Sequence, residues 1–269
     1  EYVANGLAQI KQNHGGQQLA ALVSPHSTVE EAGLLALLMR GLGSDNIDHR
    51  LRAADFDAPS AGQARWLGRS IASLSKLSAA WVVGSDLRKD HPLFAQRLRQ
   101  AQRHGGTVCA TVSRSADWAM PVAHTDVQSF ADWTLAMAGV ACAVARARGL
   151  VPPVSGVEPN AQQTAIAQHL IEGGDNAAIL LGNQASHHAK ASALWAWAQW
   201  IAQNTGATVG ALTEASNTVG ASLVNARPIA QGLNAQGILS GQGAKAVLLY
   251  NVELGKDTPV LTDSVAKAE

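Results

Sequence analysis

Short apolar runs alternate along the chain with longer segments in which apolar residues recur at helical spacing. The runs lie at positions 18–23, 79–84, 107–112, 177–182, 207–212 and 245–250. Runs of this length between turn residues predict buried strands, and segments 29–42, 92–104 and 189–204 predict helices. Such βα alternation is typical of an α/β fold, so we expect doubly wound parallel sheets with helices on both faces.

Residues at the predicted helix starts support these boundaries. Ser27 with Glu30, and Thr28 with Glu31, have the spacing of a capping box, in which side chains satisfy the first free N–H groups of a helix. Pro92 suits the first turn of a helix, where its missing N–H would have no partner. We therefore expect helices to begin next to these residues.

Two stretches share one order of elements. Positions 79–112 and 177–212 each contain a strand, a polar turn, a helix, a glycine and a second strand, which predicts an internal repeat. Proline, glycine and serine at 58–62 and 152–156 predict linkers, and the glycine- and asparagine-rich stretch 217–243 predicts a long ordered loop. Loops beyond the carboxyl ends of strands are where doubly wound folds hold ligands, so we expect any ligand site to lie there.

Composition and charge exclude several classes of protein. The chain has 269 residues, of which 47% are hydrophobic and 15% charged, enough for a large core. Twenty basic residues balance twenty acidic ones without a basic stripe, so nucleic acid is not an expected partner. The apolar runs at 177–182 and 244–250 are far shorter than the ~20 residues that cross a bilayer, so we expect no direct membrane span.

The two cysteines, Cys109 and Cys142, stand apart in the sequence. An iron–sulfur cluster needs several thiolates, so none is expected within this segment. Both cysteines lie in apolar surroundings, which favours buried free thiols in a reducing compartment over a disulfide. Glu1 is not followed by a charged and then apolar leader, so we expect a cytoplasmic location.

Glycine turns and paired histidines are the remaining candidate groups. Neither Gly84 nor Gly182 is followed by a complete G-x-G-x-x-G or a lysine-containing phosphate loop, so a structural role is favoured for both. His187 and His188 are adjacent and would point in different directions from a helix. We expect them at the surface or at a helix entry rather than as metal ligands.

Five segments together carry a family resemblance. They are SPHSTVEE at 24–31, RGLGSDNIDHRLR at 40–52, GSDLRKDHPL at 84–93, LGNQA at 181–185 and EASNTVGA at 214–221. In this order the sequence resembles the large iron–sulfur (G) subunit of bacterial NADH:quinone oxidoreductase, respiratory complex I, in its region similar to molybdopterin oxidoreductases. The resemblance implies a fragment with two α/β domains, as in the core of the formate dehydrogenase and DMSO reductase family. It implies a discontinuous first domain, 1–55 with 225–269, and a second domain, 56–224, built of two similar βα units.

The resemblance breaks at the family's binding positions. Ala54 stands where the family has its molybdenum ligand, and a methyl group cannot coordinate a metal. The turn Gly84-Ser85-Asp86 corresponds to one that cradles a phosphate, which the Asp86 carboxylate would repel. At 112–114, VSR stands where relatives with the cofactor have aspartate–proline–arginine. These departures predict an empty or collapsed pocket, whose vestigial candidates are Gly84, Ser85, Asp86, Gly182, Asn183 and Asn217.

The resemblance implies a supporting role rather than catalysis. We expect no catalytic residue, no cofactor and no metal in this segment, and the iron–sulfur clusters of the parent subunit to lie outside it. The expected partners are other subunits of the peripheral arm and the N-terminal, cluster-bearing part of the same subunit. The parent complex passes electrons from NADH, which another subunit oxidises, to a quinone at the cytoplasmic face of the inner membrane.

Two alternatives stay open. The segment could be an oxidoreductase domain that retains a pterin or a nucleotide near Gly84, Asp86, Gly182 and Asn217. It could instead be an independent small-molecule binding module.

Overall fold

The structure is a computed structural model that describes residues 1–56, 64–241 and 243–259. The strands are β1 (Leu19–Val23), β2 (Ile47–Asp48), β3 (Ala79–Val83), β4 (Thr107–Val112), β5 (His124–Val127), β6 (Ala177–Leu181), β7 (Thr208–Ala211) and β8 (Ala246–Tyr250). The α-helices are α1 (Tyr2–His14), α2 (Val29–Leu42), α3 (Leu87–Asp90), α4 (Pro92–Arg103), α5 (Trp133–Arg148), α6 (Ala161–Gly173), α7 (Asn183–Ser186), α8 (Ala191–Thr205), α9 (Thr218–Leu223) and α10 (Ala235–Leu239). Short 3-10 turns lie at Gly16–Gln18, Ile71–Lys76, Phe130–Asp132 and Gly174–Asn176.

Helix α2 shows how local sequence sets an element boundary. It occupies the predicted range and begins after Thr28. The Thr28 hydroxyl accepts the Glu31 N–H at 3.2 Å, and the Glu31 carboxylate accepts the Thr28 N–H at 2.8 Å. Of the two predicted capping boxes this one is confirmed, whereas the Ser27 hydroxyl accepts a hydrogen bond from Asn251 instead.

The apolar runs predicted the strands closely. Each of the six runs contains a strand, and no bound differs from the prediction by more than one residue. Gly84 and Gly182, which closed two of the predicted strands, are the first residues of the turns that follow. The α/β prediction is confirmed, because the sheets are parallel and covered by helices.

The chain divides into two compact units. The first comprises Glu1–Ala64 and Ala215–Glu269, and the second comprises Arg65–Glu214. The sequence placed residues 215–224 in the second domain, but Ala221 of α9 packs in one core with Ala32 of α2. The chain therefore re-enters the first unit soon after β7. The linker predicted at 58–62 lies outside the described residues.

The first unit is built on a parallel sheet with strand order β2-β1-β8. Every residue of β1 is buried, which explains its unbroken apolar sequence. Leu19 and Val23 face α2 and α9, while Ala20 and Leu22 face α10. Helices thus cover both faces of this sheet.

The second unit is built on a parallel sheet with strand order β5-β4-β3-β6-β7. Alternate residues of β3, such as Trp81 and Val83, pack against α5, α6 and α8. The intervening residues, such as Val82, pack with Leu98 of α4 and Leu74 of a 3-10 turn. The two halves of the predicted repeat are β3–α4–β4 and β6–α8–β7, and they meet where β3 pairs with β6.

Helix α5 is the main element that the sequence analysis missed. The segment Phe130–Arg148 is long and apolar enough to cross a membrane by length and composition, unlike the short apolar runs at 177–182 and 244–250. In this structure 61% of its most apolar window is buried. It packs against α6 and α8 as the central helix of the second unit. A buried core helix can be as long and as apolar as a helix that crosses a membrane.

The long loop predicted at 217–243 is not continuous in the structure. This stretch contains the helices α9 and α10, whose Ala221 and Ile238 are buried. Short helices with few apolar positions leave little periodicity to detect.

The expectation for the cysteines is confirmed: Cys109 and Cys142 are both buried free thiols.

The paired histidines lie just before α8, which agrees with the predicted position at a helix entry. His187 Nε2 lies 2.7 Å from a Glu214 carboxylate oxygen. His188 is buried, with its Nδ1 accepting the Lys190 N–H at 2.9 Å and its Nε2 2.8 Å from the Phe130 carbonyl oxygen. Since Nδ1 accepts, Nε2 must carry the proton and donate to that carbonyl.

Candidate functional site

The candidate site in the second unit is the crevice between the carboxyl ends of β3 and β6. From β3 the chain continues to β4 on one side of the sheet, and from β6 it continues to β7 on the other. Doubly wound sheets hold ligands at such a switch point. The structure brings four predicted residues together here: Gly84, Ser85, Gly182 and Asn183.

Gly84 allows the first turn to fold tightly under the neighbouring elements. Its φ is 65°, in the left-handed region where a side chain is disfavoured. A Cβ on Gly84 would lie 2.5 Å from the Trp133 ring and 2.8 Å from the Ala185 backbone nitrogen. Neither neighbour is the end of a flexible side chain. The turn therefore requires glycine for both its conformation and its packing.

The two turns interlock through backbone contacts. The Gly182 N–H donates to the Val83 carbonyl oxygen at 2.9 Å, and the Gln184 N–H donates to the Gly84 carbonyl oxygen at 3.0 Å. A Cβ on Gly182 would lie 2.4 Å from the Ser85 Cβ. Glycine here brings the second turn directly against the first, rather than opening space for a ligand.

Asp90 binds the polar groups of the first turn. Its Oδ2 accepts the Ser85 hydroxyl at 3.2 Å and the Asp86 N–H at 3.0 Å. Ser85 is almost fully buried, and the Asp86 carboxylate lies 3.5 Å from the exposed Lys89 ammonium. The turn thus contains an anion of its own.

A small cavity lies beside the turn after β3. It measures about 10 Å³ and is bordered by Ser85 and Asp86 of this turn, by Ser113 and Arg114 after β4, and by Gln184 after β6. A volume of this size holds about one water molecule. The turn Gly84-Ser85-Asp86 and the VSR segment at 112–114 were separate candidates in the sequence, and the structure brings Ser85 and Asp86 to one cavity with the VSR segment.

Asn183, in the turn after β6, is half-buried, and its side-chain oxygen has no hydrogen-bond partner among the described residues. The remaining predicted site residues lie in the first unit. Asn217 belongs to the first unit, where its side-chain amide donates to the Ser27 carbonyl oxygen at 2.8 Å. Ala54, at the position of the family's metal ligand, also belongs to the first unit and is exposed.

A larger cleft of about 390 Å³ lies next to the end of β5, and the sequence analysis did not find it. Its polar lining includes Gln128, Asp132, Glu158, Asn160 and Gln163. The only signal in the sequence was the pair Asn160 and Gln163, which cap α6 as a capping box. Because those residues also look like ordinary helix-start residues, nothing pointed to a cleft.

Asp126 lies buried beside this cleft and is held by amides rather than by a cation. Its Oδ1 accepts the Gln128 amide at 2.7 Å and the Asn160 amide at 3.2 Å, and its Oδ2 accepts the Gln163 amide at 3.0 Å. A buried carboxylate needs such donors to offset the loss of water. These residues form a structural network rather than a metal site, and the described residues contain no group of three His, Cys, Asp or Glu that could hold a metal ion.

Comparisons with known proteins place the chain in a family. Residues 1–263 match the family described as molybdopterin oxidoreductase. The chain belongs to the molybdopterin oxidoreductase family. The match covers nearly all of the chain, so it confirms this part of the resemblance and leaves the finer likeness to the complex I subunit as a prediction.

Similar proteins match parts of the chain. A predicted formate dehydrogenase of Staphylococcus aureus (strain MRSA252) is 30% identical over 107 residues, which is 38% of this chain and 11% of that protein. A predicted oxidoreductase of Bacillus subtilis (strain 168), YjgC, is 28% identical over 110 residues, 39% of this chain and 11% of that protein. Each alignment thus spans about a tenth of the relative's length.

Among solved structures, acetylene hydratase from Pelobacter acetylenicus aligns with 84% of this chain and 30% of its own. The TM-score is 0.44 and the sequence identity 15%.

The family implies a pterin cofactor, and the crevice between β3 and β6 does not fit one. Cofactor pockets usually measure roughly 300–1,000 Å³, whereas this cavity is about 10 Å³. The Ser85 and Asp86 donors already bind Asp90, and the Asp86 carboxylate adds a second negative charge. The larger cleft fits poorly too, because no lysine or arginine is among its lining residues and the Asp132 carboxylate would repel a phosphate-bearing group, while Glu158 is already paired with Arg146.

Proposed function

We propose that this chain is a non-catalytic supporting segment of the large iron–sulfur (G) subunit of bacterial NADH:quinone oxidoreductase. The family membership and the five matching sequence segments support the choice of parent protein. The observation that carries the supporting role is the closed crevice at the switch point, where interlocked turns and Asp90 occupy the place of a ligand.

The proposal extends to partners and location. The segment contributes buried surface to the peripheral arm, against other subunits and the cluster-bearing part of its own subunit. The iron–sulfur clusters lie in that other part, and the assembly sits at the cytoplasmic face of the inner membrane. The exposed Ala54 is consistent with a position that no longer serves a metal.

Co-migration tests the assignment to the complex. An antibody against the 269-residue chain is used on detergent-solubilised membranes of the source organism, separated on native gels and stained for NADH oxidation. We expect the chain to co-migrate with the NADH-oxidising band. Its presence in a separate soluble fraction, without that band, would contradict the assignment.

Cofactor analysis tests the supporting role. The purified parent protein is denatured, and its pterin is quantified by fluorescence after oxidation, with molybdenum and tungsten measured by elemental analysis. We expect far less than one pterin per chain, against a molybdenum-containing family member as positive control. A stoichiometric pterin would overturn the supporting role.

The second candidate function is an oxidoreductase domain that retains a pterin or nucleotide. The observation in its favour is the match to a predicted formate dehydrogenase over 107 residues. The cofactor analysis separates the two candidates, because a retained cofactor would appear there at one per chain whether or not the chain co-migrates with the respiratory complex.

A further inference from the structure

The turn after β3 contains a side chain that satisfies the groups an anionic ligand would use. The Ser85 hydroxyl and the Asp86 N–H both donate to a single oxygen, Oδ2 of Asp90. Hydroxyl and backbone N–H groups that converge on one point are the usual donors to a phosphate oxygen. Here the converging acceptor comes from the same chain, one helical turn further on.

The turn that contains this contact lies where a ligand would be expected. The turn stands at the carboxyl end of β3, directly beside the turn after β6, where doubly wound sheets admit ligands. The cavity that remains has room for about one water molecule and is also bordered by Ser113 and Arg114. Asp86 borders this cavity and Asp90 binds the turn, so an anion at the two donors would lie close to both carboxylates.

The charges around the turn do not neutralise Asp90 directly. Asp86 is paired with Lys89, and Arg88 is paired with Asp117. Among the described residues, no ion pair to Asp90 is formed within 4.0 Å, so its partners are the neutral donors of Ser85 and Asp86. Its negative charge is therefore available to exclude a second anion from the same donors.

We propose that Asp90 is a built-in anion, whose carboxylate takes the place of a phosphate oxygen in the turn after β3 and keeps this crevice closed to phosphate-bearing ligands. The proposal deepens the supporting role by naming the residue that closes the site. It does not depend on membership of the respiratory complex, which co-migration tests separately.

Removing the carboxylate tests the proposal. The full chain is prepared as wild type, Asp90→Asn, Asp90→Ala and Glu172→Ala. Glu172 is exposed on α6, so its replacement changes the net charge equally without touching the crevice. Inorganic phosphate is titrated into each protein at pH 7, and the ¹H–¹⁵N signal of the Asp86 amide is followed.

We expect both Asp90 variants to bind phosphate at least roughly ten-fold more tightly than wild type, since a like charge a few ångströms away is gone. Asp90→Ala should bind more tightly than Asp90→Asn, whose side-chain oxygen still competes for the two donors. The Asp86 amide signal should shift in both variants and stay constant in wild type and Glu172→Ala.

Two results would overturn the proposal: wild type binding phosphate at this turn as well as the variants do, or folded Asp90 variants showing no gain. If Asp90→Ala does not fold, the isosteric Asp90→Asn decides the question alone. Either overturning result leaves the co-migration test unaffected, whereas a stoichiometric pterin in the parent protein would reject the supporting role itself.

Discussion

The second unit contains two crevices at the same edge of one sheet, and they differ in how they are filled. The crevice between β3 and β6 has a cavity of about 10 Å³, while the cleft beside β5 measures about 390 Å³. The first holds interlocked glycine turns and the second is lined by side chains around α5 and α6. The switch point of a doubly wound sheet is thus a place where a ligand can bind, but side chains decide whether space remains.

The two crevices also use carboxylates differently. In the closed crevice Asp90 binds a hydroxyl and a backbone N–H of the turn itself. Beside the open cleft, Asp126 accepts hydrogen bonds from the amide of Gln128, just after β5, and from the amides of Asn160 and Gln163 at the start of α6. The first carboxylate tightens one turn, and the second joins β5 to the start of α6.

We expect the largest effect on stability from Gly84→Ala in the closed crevice. A Cβ there overlaps the Trp133 ring and the Ala185 backbone in a residue with φ 65°, so we expect the free energy of unfolding to fall by about 3 kcal/mol. Urea unfolding followed by tryptophan fluorescence measures the loss.

Gly149→Ala is the matched control, because Gly149 has φ 68° but no atom within 4 Å of its Cβ position. It should cost only the conformational part, about 1 kcal/mol. Equal losses in the two variants would mean that the crevice is not packed as tightly as described.

In the open cleft, Asp126→Ala should have the next largest effect. Its removal leaves the three amides without their shared acceptor, and we expect a loss of about 2 kcal/mol in the free energy of unfolding. Asp132→Ala, at an exposed carboxylate lining the same cleft, removes one exposed hydrogen bond from the Ser129 hydroxyl and should cost only about 0.5 kcal/mol. A small loss for Asp126→Ala would show that water replaces the Asp126 carboxylate as the acceptor for the three amides.

Gly139→Ala tests how α5 and α6 meet beside the cleft. A Cβ at Gly139 would lie 2.1 Å from Oε1 of Gln163, a flexible side chain that has to turn away and give up its bond to Asp126. We expect a net loss of about 1 kcal/mol, because the helical preference of alanine offsets part of the cost. The double variant Gly139→Ala, Gln163→Ala should cost about as much as Gln163→Ala alone. Additive losses would argue against the contact.

We expect the smallest effect from the ionisation of Cys109. This residue lies in β4, the strand between the two crevices. Burial raises the pKa of the Cys109 thiol from 9.0 to about 12. Its stabilising contribution is complete below pH 9.0 and is lost as the pH rises toward 12, because the unfolded chain releases the proton first.

At a pH of about 9.5 we expect wild type to lose less than about 1 kcal/mol more than Cys109→Ala does, each relative to its own value at neutral pH. Unfolding curves of the two proteins across this range measure the difference. Identical pH dependence would mean that solvent reaches β4 from one of the crevices.

Much of the fold was accessible from local sequence. Strand β1 is a continuous apolar run because parallel strands are buried on both faces, and α2 is marked at its start by Thr28 and Glu31. Helix α5 escaped prediction although it is strongly apolar. It is buried over much of its surface, so it lacks the alternation of apolar and polar positions that indicates an amphipathic helix.

The candidate site was predictable only in part. Gly84, Ser85, Gly182 and Asn183 were identified from the resemblance and do lie together, but Asn217 belongs to the other unit. Asp90 was missed, although its place one helical turn after Asp86 was a signal that could have found it. Asn160 and Gln163 are more than 30 residues from Asp126, and no spacing rule connects them to it.

The sequence by itself determined the α/β class, most element boundaries and membership of the family, because these depend on local apolar patterns and on turn residues. Only the tertiary structure decided that the switch-point crevice is closed and that a cleft opens beside β5. Whether space remains between elements depends on which distant side chains and backbone atoms meet there, and close packing turns differences of a few ångströms into an open or a filled site.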